Sequence, residues 1–91
     1  MLFEEEATKL KTSSWPRCDE LALALVARGR AAMPALEFAI GSRTHHVRSA
    51  CLRSIAEIDV VQGRVFADRM LRDRAYEVRE TAAKILGVPI P

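Results

Sequence analysis

Asparagine is missing from this 91-residue chain altogether, and aromatic residues are scarce: three Phe, one Trp and one Tyr. With no Asn-Gly turn and no alternating run of β-branched residues, nothing in the chain signals a strand. No apolar run approaches the roughly 18 residues that cross a bilayer. The start, Leu2-Phe3-Glu4-Glu5-Glu6, has the wrong charge for a secretory signal. The expectation is a cytoplasmic protein with no membrane segment. Cysteine is limited to Cys18 and Cys51, 33 residues apart, with no Cys-x-x-Cys and no zinc spacing. Both sit among apolar residues in helical patterns, so two reduced, buried thiols are expected in preference to a lone disulfide. There is no Gly-rich phosphate loop, no Gly-x-Ser-x-Gly and no His-Glu-x-x-His. No catalytic residue, cofactor or metal ligand is therefore expected, and the chain does not read as an enzyme. His45 and His46 are adjacent, so their rings should diverge on a helix and sit in a solvated turn.

What the sequence does contain is helical periodicity. Globular scaling gives roughly 5300 Å² of folded surface against about 14,600 Å² unfolded, enough for a thin core. Val47, Ala50, Cys51, Ser54, Ile55 and Ile58 form one stripe of a 3.6-period helix. Adding 31 to the first five of these numbers gives Val78, Thr81, Ala82, Ile85 and Leu86, a second stripe of the same kind. Upstream, Leu36, Ala39 and Ile40 map by the same shift onto Ala67, Met70 and Leu71. A 31-residue unit of helix, turn and helix therefore occurs twice, with helices expected at about 31–41 and 45–58, then about 61–72 and 76–87. The first 29 residues read as a worn copy. Three Glu suit the start of a helix, Lys9 and Lys11 its end, and Cys18, Ala22, Leu25 and Val26 supply a further stripe. The chain is thus expected to be all-α, one domain over 1–91, with helix pairs at about 1–29, 30–59 and 60–91.

Punctuation residues agree. Asp59 with Gln62 three residues on makes a capping box, Ser42 or Thr44 can cap the helix near His45, and Asp73 can cap the last helix. Gly29 and Gly87 follow helical stripes, where a left-handed residue is wanted. Gly63 falls in a first helical turn as a mild propensity cost, and Pro34 is tolerable in a first turn.

The run Asp73-Arg74-Ala75-Tyr76-Glu77-Val78-Arg79-Glu80-Thr81-Ala82-Ala83-Lys84-Ile85-Leu86-Gly87 resembles the second half of a HEAT repeat: a turn acid, then Val-Arg, small residues, and Leu-Gly. His46-Val47-Arg48-Ser49-Ala50-Cys51 matches more loosely, and Ala32-Met33-Pro34-Ala35-Leu36 is similar to the first helix of such a repeat. The period is shorter than the roughly 40–47 residues of full HEAT or armadillo units, and Ser42 stands where the pattern has an acid. The resemblance implies an α-solenoid of three stacked antiparallel helix pairs, acting as a non-catalytic protein-interaction or scaffold module. It also implies that the Arg after the key Val, here Arg48 and Arg79, bonds the turn acid or nearby backbone and staples repeats together; Asp73 lies six residues before Arg79.

In such a stack the second helix of each pair lines the concave surface. That assigns partner contacts to Ser49, Leu52, Arg53, Glu80, Ala83 and Lys84, with Glu57 beside them and Leu52 as an apolar anchor. The partner is expected to be a protein or peptide. Nucleic acid is the alternative, held by Arg53, Lys84, Arg48 and Arg79, but the chain carries 14 basic and 12 acidic residues, a net charge of only +2. Trp15 reads as a lid on the thin end of the stack, and Phe38 and Phe66 as inter-pair core or in part an oligomer surface. At the other end, Phe66, Met70, Ile85 and Val88 form an apolar flank that a homodimer could bury.

Overall fold

The computed structural model describes all residues, Met1–Pro91. It is all-α, with six helices: α1 (Glu4–Lys11), α2 (Arg17–Val26), α3 (Met33–Ala39), α4 (His45–Ile58), α5 (Val60–Met70) and α6 (Tyr76–Leu86). Its accessible surface is 5343 Å², in line with the size scaling. No helix is long and apolar enough to cross a membrane.

Local chemistry accounts for most of the boundaries. Glu4, Glu5 and Glu6 fill the first turn of α1 and Lys9 and Lys11 its last, matching the helix dipole at both ends. The side chain of Asp59 accepts the Gln62 N–H at 3.1 Å and so starts α5 one residue after α4 ends. Gly87 takes φ 70°, and the Val88 N–H returns to the Ala83 carbonyl at 3.0 Å, closing α6 as a left-handed terminus does. α3 is shorter than the 31–41 expectation. Gly29–Ala32 turns as a 3-10 helix first, and Pro34 sits in the first turn of α3, where its missing N–H costs nothing.

Within each pair the helices pack on each other, and α4 is central, meeting α2, α3, α5 and α6. α2, α4 and α6 lie side by side, and α1 packs beside α3. The main core joins Leu10, Cys18, Leu25, Leu36, Val47, Cys51 and Ile55. A smaller cluster joins Leu52, Ala67 and Ala82, and Ile40 and Phe66 pack against both. Phe38, expected as inter-pair core or in part an oligomer surface, is 41% exposed, with the Lys11 ammonium 4.2 Å from its ring centre. Trp15 is likewise mostly exposed.

Gly63 has a role beyond propensity. A Cβ at this position would lie 2.4 Å from Ala56 Cα and 2.6 Å from Ala56 Cβ, so α5 crosses α4 at a distance only glycine permits. The two cysteines are free and buried. Burial pushes the Cys51 thiol up to about 12, with the nearby Cys18 adding to the shift, so it is an inert core residue.

Candidate functional site

The turns before α4 and α6 are built alike. Ser42 Oγ accepts the Thr44 N–H at 3.1 Å, and 31 residues on Asp73 Oδ1 accepts the Ala75 N–H at 2.9 Å. Arg48 Nη1 donates to the Ser42 carbonyl at 3.1 Å, and Arg79 Nη1 to the Asp73 carbonyl at 2.8 Å. Neither Ser42 nor Asp73 caps its helix directly. Thr44 and Ala75 hold the cap positions without a side-chain bond, and the residue two before each fixes the turn. Ser42 replaces the turn acid competently and adds a second bond, donating to the Lys11 carbonyl at 2.6 Å.

The ion pair across the turns joins Arg48 to Asp73. Arg48 Nε and Nη2 each donate to one Asp73 carboxylate oxygen at 2.9 Å, a parallel fork. Arg48 is 8% exposed, with its remaining donor satisfied by the Ser42 and Arg43 carbonyls. Burial would raise the Asp73 carboxyl, but the Arg48 bonds, the Ala75 N–H and the Arg48 and Arg74 charges outweigh it and hold the group below its ordinary value. Arg79 reaches only the Asp73 backbone, so the expected Arg79–Asp73 pair is a side chain-to-carbonyl bond and Arg48 makes the carboxylate contact.

The contacts expected on the α4 and α6 faces divide in two. Ser49, Leu52 and Ala83 are buried, not presented to a partner. Leu52 is 0% exposed and forms the centre of the smaller cluster with Ala67 and Ala82, because α5 and α6 close over that side of α4. Ser49 faces α6, where its hydroxyl lies 2.6 Å from Thr81 Oγ1. Thr81 spends its proton on the Glu77 carbonyl at 3.0 Å, and Arg53 donates to Ser49 at 2.9 Å. The donor order is therefore Arg53 to Ser49, Ser49 to Thr81, Thr81 to Glu77. Arg53 also reaches Asp19 of α2 at 3.2 Å, so it ties α4 to α2 while Ser49 carries the chain of bonds on to α6. Arg53, Glu80 and Lys84 do line an open groove, with Glu77, Thr81 and Ile85. A second groove between α2 and α4 holds Asp19, Leu23, Val26, Arg53 and Glu57.

Arg48 is also unavailable to a phosphate, being committed to Asp73. Three exposed guanidinium groups gather at the turns instead: Arg43, Arg72 and Arg74 surround a recess of about 730 Å³ with Gly41, Ser42, Arg48 and Asp73.

The expected apolar flank is open only in part, at Val88. Phe66, Met70 and Ile85 are half-buried against the smaller cluster, whereas Val61 and Val65 of α5 are 69% and 41% exposed. Those two valines line a shallow groove with Leu86, Arg64, Asp68 and Arg69. In sequence this strip was hidden because Val61 and Val65 fall off the 31-residue stripe; only their i, i+4 spacing marks them as one face.

His45 and His46 correct the expectation of diverging rings. Their ring centroids are 4.2 Å apart, and both Nδ1 atoms approach Glu77 Oε1, at 2.9 and 2.8 Å. The signal was the repeat itself, since Glu77 lies 31 residues after His46 and α4 packs beside α6. Compared with known proteins, the chain matches no family model, no curated protein and no solved structure, so its geometry carries the functional reading.

Proposed function

We propose that the chain is a non-catalytic protein-interaction module, a short HEAT-like solenoid of three helix pairs, and that its contact face is the open side of α5. The observation that carries this reading is the strip of Val61 and Val65, continuous with Leu86 and bordered by Arg64, Asp68 and Arg69. Exposed valines at i, i+4 on a helix are the apolar half of a helix–helix interface. In a solenoid each pair keeps an apolar side until a neighbour covers it.

The bordering charges favour a second copy of this chain as the occupant. A two-fold axis passing between Arg64 and Asp68 brings Arg64 of each copy opposite Asp68 of the other, with Val65 of both copies beside the axis. The tail's Val88 and Ile90, both exposed, add apolar surface towards the roughly 1,000 Å² a specific interface needs. Light scattering tests this: a dimer of the 10.1 kDa chain is expected at high micromolar concentration, and Val61→Asp with Val65→Asp should return it to monomer without loss of helical signal. A wild-type monomer throughout would refute the self-pairing.

A second reading rests on the Arg43, Arg72 and Arg74 recess, which suits a phosphate-bearing ligand at the turn edge instead of the α4–α6 face. Binding of short duplex DNA or RNA at low salt, falling steeply as salt rises and lost in Arg72→Ala with Arg74→Ala, would favour it. Submicromolar affinity at about 0.15 M salt would place it above the protein-interaction reading.

A further inference from the structure

We propose that His45, His46 and Glu77 form a binding site for one divalent transition-metal ion of the zinc, nickel or copper class. Three observations converge on it. The ligand atoms of the three side chains all lie within 4.8 Å of one another. Both imidazole Nδ1 atoms point at a single carboxylate oxygen, Glu77 Oε1, from 2.9 and 2.8 Å. Only the His45 nitrogen makes a hydrogen bond there; His46 Nδ1 is buried and has no hydrogen-bond partner.

An orphaned buried nitrogen is unfavourable, and His46 Nδ1 approaches Glu77 Oε1 at 2.8 Å without making a hydrogen bond to it. A metal ion resolves that conflict, since it accepts lone pairs from both nitrogens and from the carboxylate at once. Metal–nitrogen bonds of about 2.0–2.1 Å at tetrahedral angles set ligand atoms about 3.3 Å apart. The present separations from Glu77 Oε1 need to open by about half an ångström to accommodate this, and no two of the ligand atoms lie more than 4.8 Å apart, so side-chain torsion adjusts the rest. The side chains are 47%, 35% and 36% exposed, so an ion can enter and a water molecule can complete the fourth position.

The donor set selects the class of ion. Two imidazoles and one carboxylate suit zinc, copper and nickel, whereas magnesium and calcium call for an oxygen shell. The site occupies the first turns of α4 and α6, where the helix dipoles disfavour a cation. Glu77 supplies the opposing charge, and three protein ligands leave the affinity below that of a closed four-ligand site. Bound there, the ion ties α4 to α6 across the same junction as the Ser49–Thr81 bond.

Trp15 provides a direct readout. It is the sole tryptophan, and its ring lies 5.9 Å from that of His46. Untagged, reduced protein is titrated with copper while Trp15 fluorescence is followed, and with zinc while thermal unfolding is followed. Expected are saturable quenching at one copper per chain, a rise of about 5 °C in melting temperature with excess zinc, and no response to magnesium. Glu77→Gln and His46→Gln should each weaken copper binding at least tenfold. His45→Gln, at the most exposed ligand, keeps the test valid if His46→Gln unfolds. Absence of binding at about 1 mM metal, or quenching that survives His45→Gln and Glu77→Gln unchanged, would overturn the site.

Discussion

Arg48 and Asp73 meet as a closed fork, two nitrogens on two oxygens at 2.9 Å, 25 residues apart in sequence and hardly accessible to water. The pair spans the two turns that precede α4 and α6, and each partner also holds its own turn through a backbone bond. Removing one partner strands the other in a site where solvent cannot replace it. Breaking such a buried pair costs about 3–5 kcal/mol when fully desolvated. With slight exposure at both side chains, about 2–4 kcal/mol is expected for Arg48→Ala or Asp73→Ala. Arg79→Ala, which loses a bond to a carbonyl, should cost about 1 kcal/mol. Chemical denaturation of the three variants checks this order, and an Arg79→Ala variant as damaged as Arg48→Ala would contradict it.

The depressed titration of Asp73 makes that contribution pH-dependent. A carboxylate whose folded value lies below its unfolded one stabilises the fold at any pH above the unfolded value, here 3.8. The contribution is lost as pH falls from there through the folded value. Asp59, held low first by the Gln62 N–H and then by Arg30, shares the direction. Melting temperature should therefore be flat in this respect above about pH 5 and fall below about pH 4. Asp73→Asn should start lower and lose less over the acid range. Equal acid slopes in the variant and the wild type would remove Asp73 from the account.

At the α4–α5 crossing the expected effect runs against helix propensity. Gly63→Ala would gain about 1 kcal/mol in an unconstrained helix. Here the new methyl lands on Ala56 backbone and Cβ, and backbone cannot turn aside as a flexible side chain can. Overpacking of this kind costs about 1–3 kcal/mol, so net destabilisation is expected. Ala56→Gly relieves the Cβ contact but leaves the one to Cα, so the double variant should recover only part of the loss. Stabilisation by Gly63→Ala alone would mean that the two helices can separate freely.

The helices were legible in the sequence because each carries its own stripe: Val47 to Ile58 and Val78 to Leu86 read directly as α4 and α6. Side-chain destinations were less so. Leu52 falls off the stripe that faces α2 and α3, so one helix read alone makes it solvent-facing. It is buried because α5 and α6 cover a second side of α4. A central helix has two buried faces, and a single-stripe pattern reports only one. Likewise the residue spacing of His45 and His46 says that adjacent side chains diverge, while the meeting point is set by Glu77 on another helix. Gly63 gave only a propensity signal, because the close approach it allows depends on Ala56 across the crossing.

Ser49 and Thr81 allow the last test, of a polar contact inside the α4–α6 junction. Their hydroxyls are 2.6 Å apart, and the donor order from Arg53 leaves Ser49 with one acceptor for its proton, Thr81 Oγ1. Thr81→Val keeps the shape but removes that acceptor. The buried Ser49 hydroxyl then has nowhere to donate, at a cost of about 1–3 kcal/mol. Ser49→Ala deprives Arg53 of an acceptor, but Arg53 is half-exposed and water can substitute, so a smaller loss of about 1 kcal/mol is expected. Combining the two leaves no hydroxyl unserved. The double variant should therefore be about as stable as Ser49→Ala alone, giving a coupling energy of about 1 kcal/mol or more. Strict additivity of the two losses in a double-mutant cycle would show that the hydroxyls do not depend on each other, and the donor order drawn from Arg53 through to Glu77 would fall with it.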